Sequence, residues 1–288
     1  MEYLISIAIF AAIYAILAIG LNLVVGYTGM LSVAHAAFFG VGAYATAILA
    51  TAYHLNFFLT LAVGMFAAAA VALLIGMVLA RFRDDYLALA SFGFNVIIFS
   101  IFLNWQGLTR GPLGIPGIPR PMLFGLSLHD NLLFLIFALL IAGLVYVVSR
   151  SIVQSSFGRV LQAIREDEAA LSVFGYRTVY FKLAVFVIGA ALAAVAGSLF
   201  AAYISFIDPT SFSLNESIFI LAIIILGGLA SLPGSVIGAA ILILLPEFLR
   251  FVGLPDAIAA QMRQVIYGVI LILLMLYRPQ GIRGEYRL

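Results

Sequence analysis

His35 is the only histidine of this chain set deep in an apolar run, which makes it the first candidate for chemistry. An imidazole inside a membrane can relay protons, since ionisable groups in hydrocarbon are often functional. No acidic residue stands at helical spacing from it, however, and a neutral ring hydrogen-bonded to Ser32 or to a neighbouring helix is the simpler reading. Asn22, Asn95 and Asn104 also fall in apolar runs, where an amide either lines a polar path or bonds between helices; taken singly, each fits the second role better. Glu216, Asp208, Glu247, Arg250, Asp256 and Arg263 are expected near span ends, where long side chains reach water. They form no paired carboxylate site at mid-membrane, which weighs against a proton- or sodium-coupled carrier. The sequence contains no Walker loop, no His-Glu-x-x-His and no Gly-x-Ser-x-Gly, so it carries neither a nucleotide site nor a recognised protease site. With no cysteine, disulfides, thiolate metal sites and cysteine nucleophiles are excluded together.

A second kind of chemistry, docking, is suggested by Ser156 to Gly175, SFGRVLQAIREDEAALSVFG. Eight of the 26 charged side chains lie in the 33 residues from Arg150 to Lys182. Phe157, Leu161 and Ile164 share one helical stripe, with Arg159, Gln162, Arg165 and Glu166 elsewhere, so the segment reads as an amphipathic helix between apolar spans. Its apolar stripe is expected to anchor in a soluble partner, with Arg159 and Arg165 at the polar rim. The competing reading, a helix lying on acidic lipid, is opposed by Glu166, Asp167 and Glu168.

The third feature is Gly20 to Tyr44, GLNLVVGYTGMLSVAHAAFFGVGAY, which places glycines and hydroxyls where hydrocarbon is expected. Gly26, Tyr27, Thr28 and Gly29 would loosen a helix, and unwound backbone at membrane depth is tolerated only when it is buried in protein or lines a cavity. Broken helices are a transporter feature. A discontinuous region near 26–42 is therefore expected, with Tyr27, Thr28, Ser32 and Asn95 as pathway candidates that offer hydrogen bonds without fixed charge.

The elements that must position these residues are transmembrane helices. The chain is 65% apolar and 9% charged, with a mean hydropathy of +1.23; a soluble domain is about 25% charged. Apolar runs of spanning length occur near 3–25, 33–53, 57–80, 131–149, 180–205 and 263–278, with shorter runs near 86–104, 216–231 and 234–250. The fold class is thus an all-α integral membrane protein, a polytopic helical bundle with about nine transmembrane segments, eight to ten being compatible with the pattern. A barrel would show alternation rather than continuous apolar runs. The segments 81–85, 150–182 and 278–288 hold ten of the fourteen Lys and Arg, and nine crossings place all three on one side. By the positive-inside rule that side is cytoplasmic, with the N-terminus outside and the C-terminus inside. The Gly- and Pro-rich stretch 106–130 then becomes an irregular external loop. Gly189, Ala193 and Gly197, with Ala190, Ala194 and Ser198 beside them, form small-residue stripes suited to close helix packing, within the chain or between subunits. One domain, 1–288, includes a cytoplasmic coupling segment at 150–180. A net charge of +2 gives no case for nucleic acid.

Three blocks resemble one family. They are Gly20-Leu21-Asn22-Leu23 with Gly26, Gly29, Ser32, His35, Phe39, Gly40, Gly42 and Tyr44; Phe157-Gly158-Arg159 through Ala163-Ile164-Arg165 to Glu168 and Gly175; and Gly227-Gly228-x-x-Ser231-x-x-Gly234-x-x-x-Gly238. In this order they are similar to the LivM-type permeases of branched-chain amino acid ABC importers, as is the closing Arg278-Pro279-Gln280-Gly281-Ile282. The resemblance implies a bacterial or archaeal inner-membrane importer. Its partners would be a LivH-type permease subunit, two cytoplasmic ABC ATPase subunits that use ATP and Mg, and an extracytoplasmic amino-acid-binding protein. It implies no cofactor in this chain itself, no enzymatic activity, and coupling to the ATPase through Phe157, Arg159, Leu161, Ile164, Arg165, Glu168 and Gly175. Glu168-Ala169-Ala170 is a loose relative of the permease EAA loop, with four residues instead of three between Ala170 and Gly175. Competing readings are an ABC permease for urea or short amides, a stand-alone secondary carrier or channel, and a membrane scaffold without transport, the last disfavoured by the polar, interrupted spans.

Overall fold

Helix dominates because unpaired backbone is costly in lipid and the apolar runs are long enough to cross it. The computed structural model describes residues 2–79, 82, 84–123, 126–251, 268–269 and 280–284. Its principal helices are α1 (Glu2–Thr28), α2 (His35–Ala52), α3 (Phe57–Leu79), α4 (Asp84–Asn104), α6 (Asn131–Gln154), α7 (Ser156–Val173), α8 (Thr178–Ile204), α9 (Leu214–Gly227) and α10 (Leu232–Phe251), with a single-turn α5 (Gln106–Thr109). Six of them are long and apolar enough to span a membrane, or seven when α9 and α10, bent by 119° at a short break, are taken as one interrupted span. The two arms of that pair are the shorter runs expected near 216–231 and 234–250. The run 263–278, together with Asp256 and Arg263, lies outside the described residues apart from 268–269.

α1, α2 and α8 form the core: between 61% and 72% of their spanning windows is buried, against 22% to 28% for α3, α4 and α6. Glycine sets the closeness of these crossings. A Cβ on Gly42 would lie 2.3 Å from the Ala194 carbonyl oxygen, and one on Gly197 would lie 2.1 Å from that of Phe39. Both small-residue stripes of α8 are thus consumed inside the chain, and Ser198 there also accepts a 2.8 Å bond from Thr46.

Contacts divide the bundle into two ends. At one, Phe10 of α1 meets Phe200 and Tyr203 of α8, and Arg120 from the 106–130 loop lies 5.5 Å over the Tyr203 ring. That loop is tethered rather than wholly irregular. β1 (Ile115–Pro116) pairs antiparallel with β4 (Phe206–Ile207), just beyond α8, and β2 (Met122–Leu123) pairs with β3 (Leu126–Ser127). At the other end lie α7, the α1–α2 linker, the α9–α10 turn and residues 280–284, the last held by Ile282 N to Leu226 O (2.9 Å) and Arg283 N to Gly227 O (3.0 Å). Arg150, Arg159, Arg165, Arg177 and Arg283 belong to this second end, the basic end.

Candidate functional site

The amphipathic segment is a helix that turns its apolar stripe inward. The Ser155 hydroxyl caps it by accepting from Gly158 N at 3.3 Å. Leu161 and Ile164 are buried in the chain's own core, and the Phe157 ring packs on Phe181 at 5.6 Å. The expectation that Phe157, Leu161 and Ile164 anchor in a partner is therefore corrected: a helix lying on a bundle must first bury its stripe there. Arg165, expected at the rim, instead donates from Nη1 to the carbonyl oxygen of Gly26 in the last turn of α1, where the helix dipole favours a cation. Arg159 does stay exposed, bonded to Ser156 Oγ at 2.8 Å.

The helix breaks at Asp167 (φ −157°, ψ 97°), whose carboxylate then caps the next turn by accepting from Ala170 N at 2.9 Å. After the break Glu168 points back into the bundle. It forms an ion pair with Lys182 at 3.0 Å and accepts from the Thr178 hydroxyl at 2.9 Å, which ties the second half of α7 to the first turns of α8. Lys182 is only 4% exposed, so this pair is structural rather than a solvated surface bridge. Gly175, at φ +85°, ends the segment in a conformation that L side chains rarely adopt. The side chains this geometry projects outward are Val173 (86% exposed), Phe174 (80%) and Tyr176 (47%). Sequence periodicity missed them because they follow the break, where the helical stripe no longer predicts direction.

The interruption expected over 26–42 is narrower: Gly26–Thr28 complete α1, α2 is helical from His35 onward, and only Gly29–Ala34 is unwound. It is nevertheless deep. The position of a Cβ on Gly20 would lie 3.1 Å from both His35 Nε2 and the Gly189 carbonyl oxygen. Since Gly20 precedes the end of α1 by about 12 Å at 1.5 Å per residue, the linker climbs back beside α1 before α2 starts. Its polar groups are met by side chains from other spans. Val33 N donates to Ser91 Oγ (2.9 Å), Asn95 Nδ2 donates to Val33 O (3.2 Å) and to Ser217 Oγ (2.8 Å), and Ala36 N donates to the same Ser217 oxygen (3.0 Å). Ser217 of α9 thus caps α2 from across the bundle, a role no local pattern announces. Asn95 Oδ1 and His35 Nε2 are buried without a hydrogen-bond partner.

Of the pathway candidates, Tyr27, Thr28, Ser32 and Asn95 are each under 5% exposed. They are not brought to one surface. Thr28 borders a cavity of about 420 Å³ with Gly29, Arg165, Glu168 and Lys182, Ser32 borders a small neighbouring pocket that also touches Lys182, and Tyr27 faces another cavity with Tyr146 and Arg150. Asn22 is a helix tie: its Nδ2 lies 3.2 Å from Gly228 O, 3.1 Å from Ser231 O and 2.6 Å from Ser235 Oγ, and its Oδ1 accepts from Ala230 N at 3.0 Å. Gly26 leaves the room for this, since a Cβ there would sit 1.8 Å from Asn22 Oδ1. Asn104 is exposed and donates to its own Ser100 carbonyl. Glu216 stands in the first turn of α9, at the start of its span as expected, and there accepts a bond from the Tyr14 hydroxyl of α1. Asp208 does lie beyond α8, capping a short 3-10 turn, and the side chains of Glu247 and Arg250 lie outside the described residues.

A family model for the permease component of the branched-chain amino acid transport system matches residues 3–275. The chain is 36% identical to the high-affinity branched-chain amino acid transport system permease protein LivM of Escherichia coli, over 96% of this chain and 69% of that protein. It is 29% identical to the permease protein BraD of Pseudomonas aeruginosa and 28% identical to LivH of Escherichia coli, each over 94% of this chain and over 92% and 91% of those proteins. No solved structure matches. The chain belongs to the family of permease components of branched-chain amino acid transport systems.

Proposed function

We propose that this chain is one of two permease subunits of an ABC importer for branched-chain amino acids. It would pair with a LivH-type subunit and draw energy from two separate ATPase subunits that bind ATP and Mg, with an extracytoplasmic protein delivering the solute. The observation that carries the reading is the way α7 is built: a helix clamped by Arg165 to the end of α1 and by Glu168 to the start of α8, with an apolar tip left outside. A lever of this kind can pass a partner's movement into the bundle. The docking surface in this reading is Val173, Phe174 and Tyr176, with the exposed Arg159 and Glu166 earlier on the same segment, in place of the Phe157, Leu161 and Ile164 stripe. Arg165 on Gly26 O then transmits the movement to the Gly29–Ala34 linker, whose displacement would open Thr28, Ser32 and Asn95 to the solute. The basic end faces the cytoplasm, the N-terminus lies outside and the membrane is the bacterial or archaeal inner membrane.

Phe174→Asp tests the lever. Its side chain is exposed, so folding should change by less than about 0.5 kcal/mol, whereas ATPase retention on purification should fall about tenfold or more. Full assembly and normal transport by this variant and by Val173→Asp would overturn the reading. Transport without any ATPase would favour a stand-alone carrier, and a cognate external protein selective for urea or short amides would change the solute alone. Single cysteines at Glu2 and Arg287 test orientation: labelling from outside intact cells at Arg287→Cys but not at Glu2→Cys would reverse it.

A further inference from the structure

We infer that the chain carries a built site for one anionic diacyl phospholipid, seated between α1, α6 and α10 with its headgroup at the basic end. Two adjoining cavities make the site. The first is a groove of about 810 Å³ whose lining, among the described residues, is apolar apart from the Tyr146 hydroxyl; small residues such as Ala11, Ala15, Ala142 and Gly143 hollow it out. It follows α1 from Ile19 to Leu4, about 22 Å at 1.5 Å per residue, longer than the roughly 15 Å of hydrocarbon in one leaflet. A Cβ on Gly143 would meet nothing within 4 Å among the described residues, so its floor is open there.

The second cavity, of about 640 Å³, shares Tyr146 and Pro233 with the groove and adds Arg150, Gln154 and Arg283. No acidic side chain lines it among the described residues, and the one ion pair found among them, Lys182 with Glu168, lies elsewhere. Neither guanidinium has a hydrogen-bonding side chain opposite it among the described residues. An apolar groove opening onto two arginines that have no acidic partner among the described residues matches one molecule, acyl chains below and a phosphodiester above. An apolar protein helix in the same groove would bury its own face yet leave both arginines without a counter-charge. The inference is independent of the importer reading.

The test is native mass spectrometry of the full chain in detergent, titrated with phosphatidylglycerol or phosphatidylcholine. One phosphatidylglycerol should be retained in preference to phosphatidylcholine. Arg150→Gln and Arg283→Gln should each lower that preference about fivefold, and the pair about twentyfold. Gly143→Trp, and the milder Gly143→Leu, should displace the lipid while leaving lipid-free melting unchanged. Glycerol phosphate, a headgroup without chains, should not compete, which separates a lipid from a free phosphate site. Equal retention of the two lipids, indifference to the double variant, competition by glycerol phosphate, unfolding of both groove fillers, or cross-linking of Ala11→Cys to another polypeptide in the assembled complex would each overturn the inference.

Discussion

Two helix interruptions at the basic end, Gly29–Ala34 and Gly228–Ser231, are each held by an asparagine from a neighbouring span. The two asparagines differ in how fully they are used. Asn22 engages both sides of its amide, meeting two carbonyls, a hydroxyl and a backbone N–H of the α9–α10 turn. Asn95 uses only its Nδ2 on the α1–α2 linker and leaves Oδ1 buried and unpartnered. A satisfied buried network resists movement, whereas a half-satisfied one gains something by rearranging. The turn is therefore the fixed strut and the linker the element poised to move, which is also the one Arg165 reaches from α7.

Removing the asparagines should separate the two most clearly. Asn22→Leu would leave Ala230 N–H and the Gly228 carbonyl without their partner, at about 1–3 kcal/mol for each group left unsatisfied, so about 2–6 kcal/mol in all; the Ser231 carbonyl keeps its bond from Ser235 N. Asn95→Leu orphans fewer groups and abolishes an unpaired oxygen, so its cost should be about 1–2 kcal/mol. Thermal unfolding of the two variants in one detergent checks the order. Equal destabilisation would break the comparison.

The Glu168–Lys182 pair gives the next largest effect, and an asymmetric one. Glu168→Leu strands a nearly buried ammonium and should cost about 3 kcal/mol, as breaking a buried pair does. Lys182→Met leaves a carboxylate that still holds the Thr178 hydroxyl and reaches water, so about 1–2 kcal/mol is expected. The double variant should recover most of the loss. If the order of the single variants is reversed, the lysine is less buried than its 4% exposure indicates.

How much of this could be read from the chain depends on the range of the interactions. The spans, the amphipathic segment and the existence of an interruption, though it begins only at Gly29, follow from apolar runs, charge clustering and glycine, all local signals. The inward turn of Leu161 and Ile164 was not legible, since a stripe shows that a helix has a face without showing what covers it. Nor were the outward Val173 and Phe174, whose direction is set by the φ of Asp167, or the cap that Ser217 places on α2 from 181 residues away.

The smallest effects bear most directly on the two interruptions, because they alter backbone freedom and almost nothing else. Gly29 and Ala230 both hold positive φ, +74° and +58°. Alanine at position 29 would bring its Cβ to an ordinary 3.4 Å from Arg165 Cγ, so the penalty is conformational, about 1 kcal/mol. Ala230→Gly works in the other direction. Relief of left-handed strain worth about 1–2 kcal/mol outweighs the about 0.5–1 kcal/mol that glycine's freedom in the unfolded chain takes back, leaving a gain of about 0.5 kcal/mol. Transport should respond in the opposite pattern to stability. Loosening a strut already fixed by Asn22 should leave the transport rate of Ala230→Gly near wild type, while stiffening the moving linker in Gly29→Ala should slow transport severalfold at unchanged assembly. Reconstituted uptake measured beside melting temperature decides it, and a slow Ala230→Gly variant with a normal Gly29→Ala variant would exchange the roles of strut and moving part.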